Sequence, residues 1–260
     1  MKTKKFMFKE IMLSSAQIEV PRGTYQRKFN ARRALKIAED FDERIANEPK
    51  VSYRDGRYFV FDGQHTIAAR KLRNGGNDLQ FKCKVYFDMT EKDEAMLFAQ
   101  QTGISASLSA GARIRALIFG GDPIAIAFME ANNNIGICLD YDQERGLNRI
   151  GCIKTAYDAY NSIGEERYKE AMLILKTTWN GEPDSFRSEN VIGVTRFVDL
   201  YHDEYCSHRL VTQLRYVDPL TIYREGRATG INLAGYKKYL YQVLRIYNGN
   251  SKKKTLPLKF

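Results

Sequence analysis

The sequence predicts an α+β fold in which strands and helices alternate first and helices alone follow. Strand-like and helix-like runs alternate up to about residue 100, and beyond Gly103 the apolar residues recur at helical spacing between segments rich in Gly, Pro and Asn. A chain of 260 residues is long enough for two ordinary domains. We therefore expect one domain over residues 1–108 and an all-helical domain over residues 109–260.

The composition indicates a folded protein without a membrane segment. Apolar residues make up 43% of the sequence and aromatic residues 12%. No apolar run approaches the roughly 20 residues that a membrane-spanning helix needs, and the first residues lack the apolar segment of a secretory signal. We expect a cytoplasmic protein with no membrane partner.

The charge and the cysteines narrow the classes of function. The formal net charge of +10 favours polyanionic partners, because lysine and arginine gain affinity for phosphate by releasing condensed counterions. Nucleic acid is the polyanion that we expect. The four cysteines are scattered and form no C-x-x-C pair, so we interpret them as reduced, mostly buried thiols without redox chemistry.

The chain begins with a partly extended segment, Phe6 to Val20. Ala31 to Asn47 follows with apolar residues at helical spacing, and Asn30 stands where a helix N-cap is favoured. We expect an amphipathic helix there. Its solvent-exposed face is expected to carry three basic side chains, Arg32, Arg33 and Lys36.

A hairpin, a strand and a capped helix are expected next. Asp55-Gly56 separates two strand-like runs within Val51 to Phe61, and both turn residues tolerate a positive φ, which predicts the hairpin. Gln80 to Asp88 alternates apolar and polar residues, which predicts a half-buried strand. Thr90 precedes an acidic residue by three positions, the signature of a capping box that begins a helix over Glu91 to Gln101.

The second part of the chain contains helix patterns separated by loops, one of them at the asparagines 132–134. Trp179 is interpreted as a core anchor. The helices are expected over residues 109–119, 123–131, 149–162, 165–178, 188–201, 208–216, 218–225 and 232–247.

One stretch, Tyr58 to Leu72, connects a strand to a helix through a polar turn. The pattern of apolar residues changes from strand-like to helix-like at Gly63-Gln64-His65-Thr66. The first turn of a helix has unpaired N–H groups and a positive dipole end, so these residues predict an anion site, with phosphate as the natural ligand. The alternative is a surface turn in which Gly63 only permits an unusual backbone angle.

This order of elements resembles the ParB/sulfiredoxin superfamily. Asp62-Gly63-Gln64-His65 is similar to the D-G-Q-H-R variant of the superfamily's phosphate-binding box, and Gln26-Arg27-Lys28-Phe29 precedes it in the chain. The resemblance covers about Met12 to Leu117. It implies a small mixed sheet with helices that binds a nucleoside triphosphate, CTP as in chromosome-segregation ParB proteins or ATP as in sulfiredoxin, together with Mg²⁺.

The resemblance also implies which residues meet the nucleotide. Gly63, Gln64, His65 and Thr66 would line the phosphates, and Arg27 would contact them from the earlier loop. The family's consecutive arginines are absent from this turn, which predicts weaker or differently supported triphosphate binding. Gln64 replaces the reactive cysteine of sulfiredoxin, so sulfinic-acid reductase activity is not expected.

A second family motif, E-N-x-x-R, is expected near Gln100 and Gln101, where its glutamate and arginine are both missing. The two glutamines can hydrogen-bond a phosphate or a metal-bound water, but they cannot supply the carboxylate that holds Mg²⁺ well. This difference argues against ParB-style hydrolysis. It favours a non-catalytic regulator or adaptor as the alternative to an enzyme.

Catalytic roles rest on two residues of the turn. His65 can pair with a phosphate when protonated, act as a general base when neutral, or make a structural hydrogen bond to the adjoining loop. Asp62 can bind a metal, orient His65 or cap the helix. If the protein is an enzyme, we expect a nucleotide hydrolase, a phosphotransferase or a nuclease, encoded by a mobile element such as a phage or plasmid.

The basic helical half predicts contacts to DNA. Arginines interleaved with tyrosines suit phosphate contacts with stacking, and exposed arginines around an apolar core explain the same pattern equally well. His202, Cys206 and His208 permit a zinc site, but without a fourth ligand we prefer an ordinary polar helix end. The oligomeric state stays open. The residues expected to bind DNA are Arg187, Arg196, Arg209 and Arg215.

Overall fold

The computed structural model describes residues 6–100, 109–228, 233, 235–251 and 255–260. The chain forms two compact units, one ending at Pro123 and the next beginning at Ile124. This division lies beyond the expected boundary at residues 108 and 109, because helix α4 (Ala110–Gly120) packs against helix α3 (Glu91–Ala99) within the first unit. Each unit is described by itself below.

The first unit contains a five-stranded mixed sheet, which confirms the predicted α+β class. The strands are β1 (Phe8–Ser14), β2 (Ile18–Glu19), β3 (Lys50–Arg54), β4 (Arg57–Asp62) and β5 (Gln80–Tyr86). Their order in the sheet is β1-β5-β3-β4-β2, with antiparallel pairs β1–β5 and β3–β4 and parallel pairs β3–β5 and β2–β4.

Local sequence signals account for the turns of this sheet. Asp55 and Gly56 adopt φ values of 53° and 73° between β3 and β4, which confirms the predicted hairpin. Phe81, Cys83 and Val85 are buried on one face of β5, as the alternating pattern predicts. That face belongs to the apolar core of the unit.

Three helices complete the part of the unit that positions the site: α1 (Ala31–Glu39), α2 (Gln64–Arg73) and α3. The predicted cap of α1 is confirmed, since the Asn30 side chain accepts a hydrogen bond from the Arg33 N–H at 3.0 Å. The prediction that α1 extends to Asn47 is wrong, because Asp42 begins a separate turn by accepting the Ala46 N–H at 2.9 Å. The predicted capping box of α3 is confirmed at Thr90.

The second unit contains helices and one short pair of strands, so the expectation of an all-helical region is wrong. Strands β6 (Cys138–Leu139) and β7 (Arg149–Ile150) pair in parallel. The other elements are α5 (Pro123–Asn134), α6 (Ile153–Ile163), α7 (Glu165–Thr178), a 3-10 helix (Pro183–Phe186), α8 (Ser188–Leu200), α9 (Ser207–Arg215), α10 (Thr221–Ala228) and α11 (Lys237–Asn248).

Buried polar and aromatic contacts explain two features of this unit. The asparagines 132–134 continue α5 instead of forming the expected loop, and Asn132 is fully buried, accepting a hydrogen bond from the Tyr168 hydroxyl at 2.9 Å. Trp179 is the predicted core anchor, with 8% of its surface exposed and its Nε1 donating to the Val217 carbonyl at 3.0 Å.

The cysteines are free, as expected, but only partly buried. Cys83 is buried in the first unit, and Cys152 is half-buried. Cys138 and Cys206 are exposed, so the expectation of mostly buried thiols is wrong for these two. Among the described residues, none of the helices combines the length and the apolar character needed to cross a bilayer.

Candidate functional site

The site begins at the turn between β4 and α2, where the backbone conformation strongly favours glycine. Gly63 has a φ of +104°, and a Cβ added there would lie 3.1 Å from Pro49 Cα. Gly63 is the N-cap of α2, and as a glycine it has no side chain that could accept a hydrogen bond from the first turn. Asp62 lies before this N-cap and pairs with Lys50, so it does not cap the helix. Among the described residues, no side chain caps the first N–H groups of α2.

A cavity of about 230 Å³ opens at this helix start. Arg27 and the turn residues Gly63 to Thr66, which the family resemblance expects at one site, all line this cavity. Gln100 is not part of its lining and lies exposed at the C-terminal end of α3, while Gln101 lies outside the described residues. The lining consists of Gln26, Arg27, Arg33, Ile37, Asn47, Phe61, Asp62, Gly63, Gln64, His65, Thr66 and Phe98.

Two arginines give the cavity its positive charge. Arg27 is half-buried, and its Nε atom is buried without a hydrogen-bond partner in the described structure. Burial and, secondly, the charge of Arg33 lower the pKa of the Arg27 guanidinium. The sequence pattern assigns Arg33 to the solvent face of α1, but its position in the first helical turn, three residues after the Asn30 cap, places it at the cavity.

Two glutamines fix the loop that carries Arg27. The Gln26 Nε2 donates to the carbonyls of Val60 and Phe61, at 3.1 and 3.0 Å. The Gln64 Nε2 donates to Gln26 Oε1 at 3.4 Å and to the Arg27 carbonyl at 3.3 Å. Both side chains are buried, so they hold the loop against β4 and the start of α2.

His65 is a buried, neutral ring at physiological pH. Burial, followed by the charges of Arg27 and Arg33, lowers the pKa of His65 to about 4. The ring stacks on Phe29, with centroids 5.3 Å apart and an interplanar angle of 17°. Its Nε2 accepts the Asn30 N–H at 3.2 Å, which leaves the proton of the neutral ring on Nδ1.

The sequence leaves three roles open for His65, and this geometry corresponds to one of them, a structural hydrogen bond to the adjoining loop. A general base needs an unprotonated nitrogen within reach of the proton that it removes. The unprotonated nitrogen of His65 is already engaged by the Asn30 backbone. The low pKa also removes the protonated form that would pair with a phosphate at neutral pH.

Asp62 is engaged as well, and the donors around the cavity do not fit a resident magnesium ion. The Asp62 carboxylate pairs with Lys50 Nζ at 3.0 Å. No other carboxylate lines the described cavity. Across the described ranges, no three His, Cys, Asp or Glu side chains come together as metal ligands. Mg²⁺ prefers carboxylate oxygens and substrate phosphates, so it would reach this site only with a nucleotide.

A buried carboxylate network lies behind the Arg27 loop. Glu94 on α3 has no exposed surface and accepts hydrogen bonds from the Tyr25 hydroxyl at 2.7 Å and from Arg54 Nε at 2.7 Å. Ser52 donates to the same carboxylate. Tyr25 directly precedes Gln26, so the network positions the start of the loop. The sequence gives no local signal for Glu94, since its partners lie on two other segments, β3 and the loop before α1.

Comparison with known proteins gives one family. A model of the DUF6551 family, described as a family of unknown function, matches residues 20–260. The chain belongs to this family. The match includes the cavity and the whole of the second unit. Searches of curated proteins and of solved structures gave no match.

The arginines expected to bind DNA make contacts within the second unit of this DUF6551 chain. Arg187 pairs with Asp184, and Arg196 Nη1 donates to Ser162 Oγ at 3.1 Å. The other two donate to backbone carbonyls in the last turns of other helices. Arg209 donates to Tyr247 and Asn248 at 3.1 and 3.0 Å, and Arg215 donates to Thr177 at 3.1 Å. Packing within the unit thus accounts for these side chains.

Proposed function

We propose that the cavity beside Gly63 binds a phosphate group of a nucleotide. The observation that carries the proposal is the buried Nε of Arg27, which has no partner in the described structure although it lines a cavity at an uncapped helix start. A buried donor without an acceptor is unfavourable, and a phosphate oxygen is the strongest acceptor that can satisfy it.

The surroundings of Arg27 add to the attraction for an anion. Arg33 contributes a second positive charge, and the first N–H groups of α2 contribute the positive end of the helix dipole. His65 is neutral and adds no charge. Its ring accepts the Asn30 N–H, and Gln64 donates to the Arg27 carbonyl, so the two side chains hold the loop before α1 against the start of α2. The resemblance to the ParB/sulfiredoxin superfamily supports a nucleoside triphosphate, CTP or ATP, as the ligand.

Binding without turnover fits the residues better than catalysis. The unprotonated nitrogen of His65 and the carboxylate of Asp62 both have intramolecular partners. The proposed protein is therefore a ParB-like nucleotide-binding regulator or adaptor. The basic charge of the chain supports association with nucleic acid as a further property of the same protein.

Titration calorimetry with CTP and with ATP tests this proposal. We expect the wild type to bind one of them, and Arg27→Gln and Arg33→Gln each to weaken binding about tenfold or more, the effect of one lost hydrogen bond between charged groups. Arg32→Gln is the matched control, because Arg32 is the exposed neighbour of Arg33 and does not line the cavity. Equal losses in Arg32→Gln and Arg33→Gln would reject the site.

Nucleotide hydrolysis measured on the same proteins separates the regulator from an enzyme. The proposal expects no turnover by the wild type. Turnover that disappears in His65→Ala while nucleotide binding persists would show that the site is catalytic.

A further inference from the structure

The cavity beside Gly63 is too small for a whole nucleotide, and a larger cavity continues it. The first cavity has a volume of about 230 Å³, whereas cavities that hold small ligands usually measure roughly 300–1,000 Å³. The second cavity has a volume of about 470 Å³. Arg33, Ile37 and Thr66 line both of them, so the two cavities share a wall.

Helix α1 provides most of this wall. Arg33, Lys36, Ile37 and Asp40 follow one another at spacings of three and four residues, which places them on one face of the helix. A rise of about 1.5 Å per residue puts Arg33 and Asp40 roughly 10 Å apart along the helix axis. A ligand whose phosphate lies beside Arg33 can therefore extend along this face towards Asp40.

The part of the second cavity that the first does not share is largely apolar. Phe41, Ile45 and Ala46 line it. Ile45 is 76% exposed, so most of its apolar surface is not used in the core of the unit. The turn that carries it is ordered, because the Asp42 carbonyl accepts the N–H groups of Ile45 and Ala46 at 3.2 and 2.9 Å. Ligand sites are mostly apolar with a few polar groups, so this part suits a planar ring.

Asp40 supplies a hydrogen-bond acceptor next to these apolar side chains. Its carboxylate is exposed and has no ion pair or hydrogen bond with another residue of the described ranges, whereas the Asp42 carboxylate pairs with Arg44 at 2.7 Å. An ionised carboxylate only accepts hydrogen bonds, so Asp40 favours a ligand with N–H donors. Adenine and cytosine present an exocyclic amino group. Hypoxanthine and uracil present a carbonyl oxygen at the same position.

We infer that the second cavity holds the base of the nucleotide whose phosphate lies beside Gly63, and that Asp40 selects a base with an amino group, adenine or cytosine. The inference rests on the phosphate site proposed above. Phe41 and Ile45 pack against the ring, and the Asp40 carboxylate accepts its amino group. Arg33 and Thr66, which line both cavities, lie between the phosphate and the base.

Titration calorimetry with inorganic triphosphate, CTP and ATP separates the base site from the phosphate site. Inorganic triphosphate reports on the cavity beside Gly63 alone, so we expect the wild type to bind CTP or ATP more tightly than inorganic triphosphate. Ile45→Ala is expected to weaken the nucleotide about tenfold and to leave inorganic triphosphate unchanged. Leu35→Ala is the matched control, because Leu35 is an exposed apolar residue of α1 that lines neither cavity.

The two sites fail in different ways. If inorganic triphosphate binds as tightly as both nucleotides, or if Leu35→Ala weakens the nucleotide as much as Ile45→Ala does, the base site is rejected and the phosphate site stands. If neither inorganic triphosphate nor a nucleotide binds, the phosphate site is rejected and the base site with it.

Nucleotide pairs that differ at one position test the role of Asp40. UTP and inosine triphosphate replace the amino groups of CTP and ATP with a carbonyl oxygen. We expect the wild type to bind the amino member of a pair about tenfold more tightly, and Asp40→Asn, whose amide both donates and accepts, to lose most of this preference. Glu39→Gln removes the same charge from the exposed neighbouring position outside the cavity and should retain the preference. Equal binding of both members of each pair by the wild type overturns the selection of an amino base.

Discussion

Lowering the pH from 7 to 4 protonates His65 in the unfolded chain before it does so in the folded protein. The unfolded imidazole has a pKa near 6.5, whereas burial and two arginines lower the folded pKa of His65 to about 4. The folded state therefore binds fewer protons in this interval. The contribution of neutral His65 to the free energy of unfolding is fully present above pH 6.5. It is lost as the pH falls through the folded pKa of about 4.

The expected size of this effect follows from the pKa difference. One pKa unit corresponds to about 1.4 kcal/mol, so His65 should reduce the free energy of unfolding by about 3 kcal/mol between pH 7 and pH 4. Carboxylates also titrate towards pH 4, so the comparison needs a variant. His65→Gln should lack this part of the pH dependence, and His208→Gln, at an exposed position, should retain it.

NMR titration of the histidine rings measures the pKa directly. The sequence contains three histidines, and His202 and His208 are both exposed, so the His65 resonance is readily distinguished. Arg33→Gln should raise the His65 pKa by removing one nearby charge, while burial keeps it below 6.5. A His65 ring that titrates near 6.5 in the wild type would refute the buried neutral ring and, with it, the positive potential that we assign to the cavity.

Three further predictions concern the supports of the site and its partners. Gly63→Ala should lower the free energy of unfolding by about 1–3 kcal/mol in urea denaturation, because its φ is +104° and Pro49 is close; an unchanged midpoint contradicts this turn. Tyr25→Phe should lower it by about 1–3 kcal/mol, because buried Glu94 loses a donor; Tyr53→Phe, at an exposed ring, is the control. DNA retardation should weaken with salt, and an affinity independent of salt argues against phosphate contacts.

The sequence predicts the local structure of the first unit well because its signals are local. The turn at Asp55-Gly56 and the Thr90 capping box each depend on residues a few positions apart, and both are present. The end of α1 was not predictable in the same way. Its apolar spacing continues past Glu39, and the competing turn at Asp42 depends on how the later segment packs.

The candidate site was only partly predictable, because part of it depends on contacts between segments that lie far apart in the sequence. The residues from Gly63 to Thr66 follow from a change of period within one stretch. The cavity is also lined by Arg33, from α1, and Asp62 pairs with Lys50, from β3. Both contacts join segments that are distant in the sequence. The network of Glu94 with Tyr25 and its other partners is likewise long-range. A helical pattern predicts that a side chain is near solvent, but not which cavity it lines.

Backbone amide NMR during nucleotide titration tests the central claim most directly. If the cavity holds a nucleotide phosphate at the start of α2, the amide resonances of Gly63 to Thr66 shift in a saturable way as CTP or ATP is added, because their N–H groups meet the phosphate oxygens. Arg27→Gln should weaken this response about tenfold. If these four resonances stay fixed at saturating concentrations of both nucleotides, the account of this site is contradicted.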